Sequence, residues 1–127
     1  MKISKRKAFS QEILFSDDFT ALPLKVRWLY LSLNFSADDD GFIGSPNYIV
    51  NACTCTKKDF SLLVDRGYII RFPSGVALVT HWYVHNKPFR ADRYHPTEYV
   101  RERALVTLGP DKVYYLKEEA NVIRRTS

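Results

Sequence analysis

The chain of 127 residues carries 46% hydrophobic and 26% charged side chains, which is typical of one globular domain and excludes a disordered or collagen-like protein. No apolar stretch approaches the roughly 20 residues that span a bilayer, and the N-terminus lacks a secretory signal, so we expect a cytoplasmic protein with no membrane partner. The net charge of +5 is by itself weak evidence for a polyanionic partner.

The first predicted elements are two helices. Ser16 or Asp17 is the expected N-cap of the first, because short polar side chains accept hydrogen bonds from the N–H groups of a first helical turn. Residues 24–35 form the second helix, and the acidic run at 38–41 ends it. The pattern of this helix places apolar residues in two adjacent rows, one of Trp28, Leu31 and Phe35 and one of Leu29 and Leu33.

The middle of the chain predicts a small strand and two shorter helices. Residues 42–43 form a minimal strand, and Pro46 is the first residue of a helix that reaches Ala52. Thr56 caps the next helix, residues 57–66, and Gly67 ends it in a left-handed conformation. The apolar face of this helix consists of Phe60, Leu63 and Val64.

The sequence then changes to a β pattern. Residues 68–72 and 76–81 are rich in β-branched and aromatic side chains and flank a turn, which predicts a β-hairpin. We expect residues 86–96 to be polar and extended and residues 97–108 to form a helix that begins at Thr97. Residues 113–116 form either a strand or the start of a last helix.

This order of elements predicts an α+β fold, a winged helix-turn-helix with a three-helix core, a β-hairpin wing and a C-terminal helical extension. The corresponding division is a basic N-terminal arm over residues 1–15, a winged-helix domain over 16–86, and a basic extended segment with a C-terminal helix or tail over 87–127. In such a fold the second helix of the pair enters a major groove and the wing contacts phosphates.

Positive charge is concentrated at the two ends of the chain. The net charge is +3 over residues 1–37, −2 over 38–67 and +4 over 68–127. The N-terminal arm contributes Lys2, Lys5, Arg6 and Lys7. A second basic segment alternates with the aromatic residues Phe89 and Tyr94 and contains Lys87, Arg90 and Arg93. Cations beside aromatic rings suit phosphate contact and base stacking, although a solvated surface has the same composition.

Several motifs together resemble one protein family. They are residues 19–24 (FTALPL), 37–42 (ADDDGF), 45–46 (SP), 81–86 (HWYVHN) and 92–97 (DRYHPT). In this order they resemble the N-terminal domain of phage and prophage replisome organisers, relatives of the DnaD-like primosome proteins of Gram-positive bacteria. The resemblance implies a winged helix, binding to a replication origin, and recruitment of the replicative helicase or its loader. Family members usually carry a second, C-terminal domain, whereas this sequence ends at Ser127, so we expect either a DNA-binding fragment or a short stand-alone relative. In both cases we expect duplex binding or self-association without the complete loading activity.

The predicted DNA contacts come from the third helix, the wing and the basic segment. The helix and the turn before it contribute Thr54, Thr56, Lys57, Lys58 and Ser61, the wing contributes Arg71 and Ser74, and the segment contributes Lys87, Arg90 and Arg93. Because the helix has no Arg, Asn or Gln row for bidentate base contacts, we expect modest direct sequence readout.

The sequence predicts no catalytic residue, cofactor or metal. The acidic run 38–40 lacks the further ligands of a calcium loop and is interpreted as a helix-ending turn. His81, His85 and His95 are interpreted as hydrogen-bonding residues, and Cys53 and Cys55 as reduced, small apolar side chains. There is no phosphate-binding glycine loop and no nucleophile elbow, so we expect a binding protein and not an enzyme.

Two other functions remain open on the sequence alone. One is a winged-helix module for protein interaction or oligomerisation, in which apolar faces build a homo-oligomer. The other is a transcriptional regulator with the same fold. The preferred hypothesis is a duplex-DNA-binding domain of a replication initiation protein, with the helicase or its loader as a further partner.

Overall fold

The N-terminal part of the fold is helical. The computed structural model describes residues 7–118 and begins with α1 (Gln11–Leu14), α2 (Asp17–Thr20) and α3 (Leu24–Ser36). Ser16 caps α2, because its side chain accepts a hydrogen bond from the backbone N–H of Phe19 at 3.2 Å. The predicted cap and the predicted second helix are both confirmed.

A short strand and two helices follow, as predicted. They are β1 (Phe42–Ile43), α4 (Pro46–Ala52) and α5 (Lys57–Asp65). Gly67, after α5, has φ +83, the left-handed conformation that ends a helix at little cost for glycine. The three longest helices, α3, α4 and α5, pack together through their apolar faces.

The predicted hairpin is present and joins a three-stranded sheet. Its strands are β2 (Ile69–Arg71) and β3 (Ala77–Val79), and the antiparallel order is β1-β3-β2. The register pairs Arg71 with Ala77 at the turn and Phe42 of β1 with Leu78. The β2–β3 turn therefore projects from the end of the sheet that adjoins the start of α4.

The C-terminal part differs from the prediction. The structure has α6 (Trp82–His85), α7 (Val100–Arg103), β4 (Val106–Leu108) and β5 (Tyr114–Leu116), with β4 and β5 paired antiparallel. Of the helix predicted over residues 97–108, the structure keeps one turn, α7, and the rest of that prediction is wrong. The β4–β5 hairpin stands where a helical extension was predicted. The reason is tertiary: Val106 is fully buried through strand pairing, which outweighs local helix preference. Residues 119–127 of the predicted tail lie outside the described residues.

One hydrophobic core joins the N-terminal helices, the three-stranded sheet and the C-terminal hairpin. It contains Leu29 and Leu33 of α3 and Leu63 of α5, together with Val106 and Tyr114 of the C-terminal hairpin. Tyr114 is held in place because its backbone N–H donates to Thr80 O at 3.0 Å and its hydroxyl donates to Asp40 O at 2.9 Å. The described chain is thus a small α+β fold whose C-terminal hairpin completes the core.

The apolar row of α3 that packs inside is the one containing Leu29 and Leu33. In the other row, Trp28 is 56% and Phe35 57% exposed, whereas Leu31 is half-buried and packs against the core. Both rows are apolar, so periodicity alone does not distinguish them. Within residues 7–118, every helix is too short or too polar to cross a membrane.

Candidate nucleic-acid interface

A groove lies between the start of α5, the start of α4 and the β2–β3 turn. Lys57 of α5, Arg71 of β2 and Gly75 of the turn line it together with Asn47 of α4, and Phe60 forms part of its apolar lining. Its volume is about 230 Å³. Lys57 and Arg71 are both exposed, so the structure brings two predicted DNA contacts to one concave surface.

The start of α5 is fixed by a reciprocal cap. Thr56 Oγ1 accepts a hydrogen bond from Asp59 N at 3.3 Å, and the Asp59 carboxylate accepts one from Thr56 N at 2.8 Å. Burial acts to raise the pKa of Asp59, but hydrogen bonds from Thr56 and Lys25 outweigh it and hold the pKa below its usual value. The Thr56 hydroxyl also donates to Asp59, so the predicted contact residue Thr56 uses its side chain to orient the helix.

The other predicted contacts of this region lie around the groove. Thr54 is exposed in a left-handed conformation with φ 55, and Lys58 is exposed beside Lys57. Ser61 is half-buried on α5, and Ser74 is exposed in the β2–β3 turn. Sequence reasoning missed Asn47, an exposed residue in the first turn of α4. The predicted helix over 46–52 contained the signal, since Asn47 is a polar residue near the start of a helix that precedes α5.

The acidic run serves as an anchor for the segment that follows α6. Asp40 is buried, and its carboxylate accepts hydrogen bonds from Tyr83 OH at 2.6 Å, Tyr94 OH at 2.8 Å and Thr97 N at 2.9 Å. Burial and the hydrogen bond to Asp40 raise the pKa of Tyr94 to about 12. Asp38 accepts from the Thr97 hydroxyl at 2.6 Å in the same way. These bonds fasten residues 94–97 to the turn before β1.

The predicted cations Lys87, Arg90 and Arg93 lie on this anchored segment. All three are exposed, but Arg90 is paired with Asp92 at 3.0 Å. The hydrogen bond to Asp92 raises the pKa of Arg90, and the same bond lowers that of Asp92. None of these three cations lines the groove that contains Lys57 and Arg71.

The described part of the N-terminal arm packs on the body of the protein. Lys7 Nζ donates hydrogen bonds to Phe35 O and Ala37 O at the end of α3, and partial burial lowers its pKa against the opposing influence of Asp39 and Asp38. Lys7 is therefore a helix-capping residue and does not project from the surface. Lys2, Lys5 and Arg6 lie outside the described residues.

The histidines and cysteines form no cluster. His85 is buried, with Nδ1 accepting from Ser10 N at 2.9 Å and Nε2 facing Tyr30 OH at 2.5 Å. Cys55 is buried, and this burial raises the pKa of its thiol. Among residues 7–118, no group of three or more His, Cys, Asp or Glu side chains is arranged to hold a metal ion.

Comparison of the chain with protein-family profiles, with curated proteins and with solved structures finds no match. The geometry described above and the sequence motifs therefore carry the functional argument.

Proposed function

We propose that the chain is a winged helix-turn-helix domain that binds duplex DNA. In this proposal α4 and α5 are the helix pair, α5 enters the major groove, and the β2–β3 hairpin is the wing. The observation that carries the proposal is the groove shared by Lys57 at the start of α5 and Arg71 beside the wing turn. A cation on each of the two DNA-facing elements is what simultaneous groove and backbone contact requires.

The binding mechanism is non-covalent and mostly electrostatic. Lys57, Lys58 and Arg71 neutralise phosphates and release counterions, while α5 sets the register on the duplex. A helix with its side chains is about 10–12 Å in diameter, which fits a major groove about 12 Å wide. Asp65 is exposed near the end of α5 and disfavours phosphate there, so the N-terminal half of the helix is the part that approaches the backbone.

We further propose that this DNA binding serves replication initiation. The support is the resemblance of residues 81–86 and 92–97 to replisome organisers, in which the domain binds an origin and helps to recruit the helicase or its loader. A footprint of the purified protein across its own replication locus tests this role. Protection confined to promoters would favour the transcriptional regulator instead.

Duplex binding itself is tested by the double variant Lys57→Gln/Arg71→Gln. The measurement is fluorescence anisotropy with a labelled duplex at several salt concentrations. Loss of two phosphate contacts should weaken binding and reduce the slope of log K against log salt by about 1.8. The control Arg101→Gln/Lys117→Gln removes the same charge from exposed positions outside the groove. Equal effects of the two double variants would show that net charge, and not the groove, determines binding.

The basic segment is tested separately with Arg90→Gln/Arg93→Gln. The sequence predicts that this change weakens duplex binding and flattens its salt dependence. Because Asp92 already compensates Arg90, we expect a smaller change of slope than for the groove variant. A slope identical to that of the wild type would remove the segment from the interface.

A further inference from the structure

A pocket with aromatic walls lies between the segment that follows α6 and the C-terminal hairpin. Its volume is about 620 Å³, which is within the usual range of sites for small molecules. Four aromatic side chains line it: Tyr83 of α6, Phe89 and Tyr94 of the following segment, and Tyr114 of β5. The pocket shares no lining residue with the groove of Lys57 and Arg71, so it is a separate feature of the surface.

Hydrogen bonds fix the walls of this aromatic pocket. The buried Asp40 carboxylate accepts from the hydroxyls of Tyr83 at 2.6 Å and Tyr94 at 2.8 Å. Burial and the bond to Asp40 raise the pKa of both phenols, so both stay neutral and keep donating. The rings of Tyr83 and Tyr114 pack together with their centres 6.0 Å apart. Because the walls are already ordered, a ligand would lose little affinity to the ordering of side chains.

Two cations also line the aromatic pocket. Arg103 is half-buried, and its guanidinium carbon lies 5.6 Å from the centre of the Tyr114 ring. Its Nη1 donates to Val106 O at 3.1 Å, which further restricts the side chain. Lys112 is exposed in the turn between β4 and β5. Within residues 7–118, neither cation forms an ion pair with a carboxylate.

The carboxylates near these cations are engaged elsewhere. Asp40 is 5% exposed and accepts the N–H of Thr97 at 2.9 Å in addition to the two phenols. Asp111, which precedes Lys112, accepts from the Tyr115 hydroxyl and the Val113 N–H. The aromatic pocket therefore combines flat apolar walls with two positive charges that have no bonded counterion in the described chain.

We propose that the aromatic pocket binds a mononucleotide, with the base against the aromatic rings and the phosphate on Arg103 and Lys112. Aromatic side chains offer flat faces on which any nucleobase stacks. Guanidinium and ammonium groups bind phosphate through charge-assisted hydrogen bonds. Two cations match the nearly double charge of a phosphate monoester, whereas a carboxylate would compensate only one of them. Charge thus favours a nucleotide over an aromatic acid.

The same contacts predict which nucleotides bind best. A purine has a larger stacking face than a pyrimidine, so purine nucleotides should bind more tightly. The hydroxyl protons of Tyr83 and Tyr94 are already donated to Asp40, so these two phenols have none left to distinguish one base edge from another. We therefore expect similar affinities for adenine and guanine nucleotides.

Titration of the ¹⁵N-labelled protein with AMP, followed by NMR, tests the proposal. Concentrations from about 10 µM to about 5 mM cover the affinities expected of a small ligand in an open pocket. We expect saturable shifts at the amides of Tyr94, Leu108 and Lys112, which line the pocket. Adenosine and inorganic phosphate should each bind about tenfold more weakly than AMP, because each keeps only one part of the contacts. Absence of AMP binding over this range, or equal binding of adenosine, would overturn the proposal.

Two variants separate the phosphate contact from the base contact. Lys112→Gln should weaken AMP about tenfold and leave adenosine unchanged. Its matched control is Lys117→Gln, which removes the same charge from an exposed side chain outside the pocket. Phe89→Leu should weaken AMP about fivefold and leave inorganic phosphate unchanged, since it replaces the aromatic face with an apolar side chain. Equal losses in Lys112→Gln and its control, or wild-type binding of AMP by Phe89→Leu, would refute the assigned contacts.

A last comparison uses a single-stranded dA decamer without a terminal phosphate. It presents the same base but only phosphodiesters, which carry one charge each. If the decamer shifts the pocket residues and AMP does not, the site binds strands and the mononucleotide proposal is wrong. Because the groove at Lys57 and Arg71 is separate, failure of AMP binding would leave the duplex measurement unchanged, and failure of duplex binding would leave AMP binding unchanged.

Discussion

Stability should depend on pH through His85, which joins the N-terminal segment to the core. Its Nδ1 accepts a hydrogen bond from Ser10 N–H, so the ring proton of the neutral form lies on Nε2 and points to the Tyr30 hydroxyl. Burial, with a smaller contribution from His81, lowers the pKa of His85 from 6.5 to about 4. Protonation would place an N–H group opposite the N–H of Ser10, which breaks this contact.

The sign and size of the effect follow from linkage. The folded state binds fewer protons than the unfolded state between the two pKa values, so the free energy of unfolding decreases as the pH falls from 6.5 to about 4. A pKa shift of this size lowers the free energy of unfolding by about 3 kcal/mol between pH 7 and pH 4. The pKa of His81 is also lowered by burial, so it adds a smaller loss of the same sign.

Urea denaturation at half-unit steps of pH measures this dependence. We expect His85→Gln to be less stable than the wild type at pH 7 and to lose most of the slope between pH 6.5 and pH 4.5. The control His95→Gln removes an exposed histidine and should keep the wild-type slope. If the slope of His85→Gln equalled that of the wild type, the buried neutral imidazole would not be the source of the pH dependence.

Two further substitutions test the local structure. Thr56→Ala removes the hydroxyl that accepts the Asp59 N–H in the α5 cap, and it should lower the free energy of unfolding by about 1 kcal/mol in urea titrations, whereas an unchanged midpoint would contradict the cap. Gly41→Ala should destabilise by more than Gly75→Ala. Both glycines have positive φ, but only at Gly41 would an added Cβ lie 2.7 Å from the Trp82 side chain, so equal thermal midpoints would contradict that close approach.

The sequence predicted the central elements because local signals determine them. Thr56 and Gly67 mark the start and the end of α5, and β-branched runs on either side of a proline–glycine turn mark the β2–β3 hairpin. Neither the helix nor the hairpin therefore depends on distant residues. The helix predicted over 97–108 failed because burial of Val106 depends on pairing with Leu116, which local preference does not reveal. Contacts between neighbouring residues were predictable, and a pairing across a later turn was not.

The candidate site, too, was predictable only in part from the sequence. The sequence predicted Lys57 and Arg71 as contacts, because a helix pair followed by a hairpin implies their proximity. It did not predict that Asp40 holds the segment containing Tyr94 and Thr97, since these partners are 54 and 57 positions away along the chain. Nor did it predict the outward face of α3, because each of the two rows could have supplied a core face.

The position of Tyr114 has a practical consequence for anyone who shortens this chain. A cut after Asn86, where the sequence suggests the end of the helix-and-hairpin unit, would remove the phenol that packs against Phe42 at a ring-centre distance of 6.2 Å. It would also remove the hydrogen-bond donors of the Thr80 and Asp40 carbonyl groups and leave a water-filled cavity beside the sheet. Recombinant pieces that end there should be recovered as aggregates, whereas those that extend past Leu116 should stay folded.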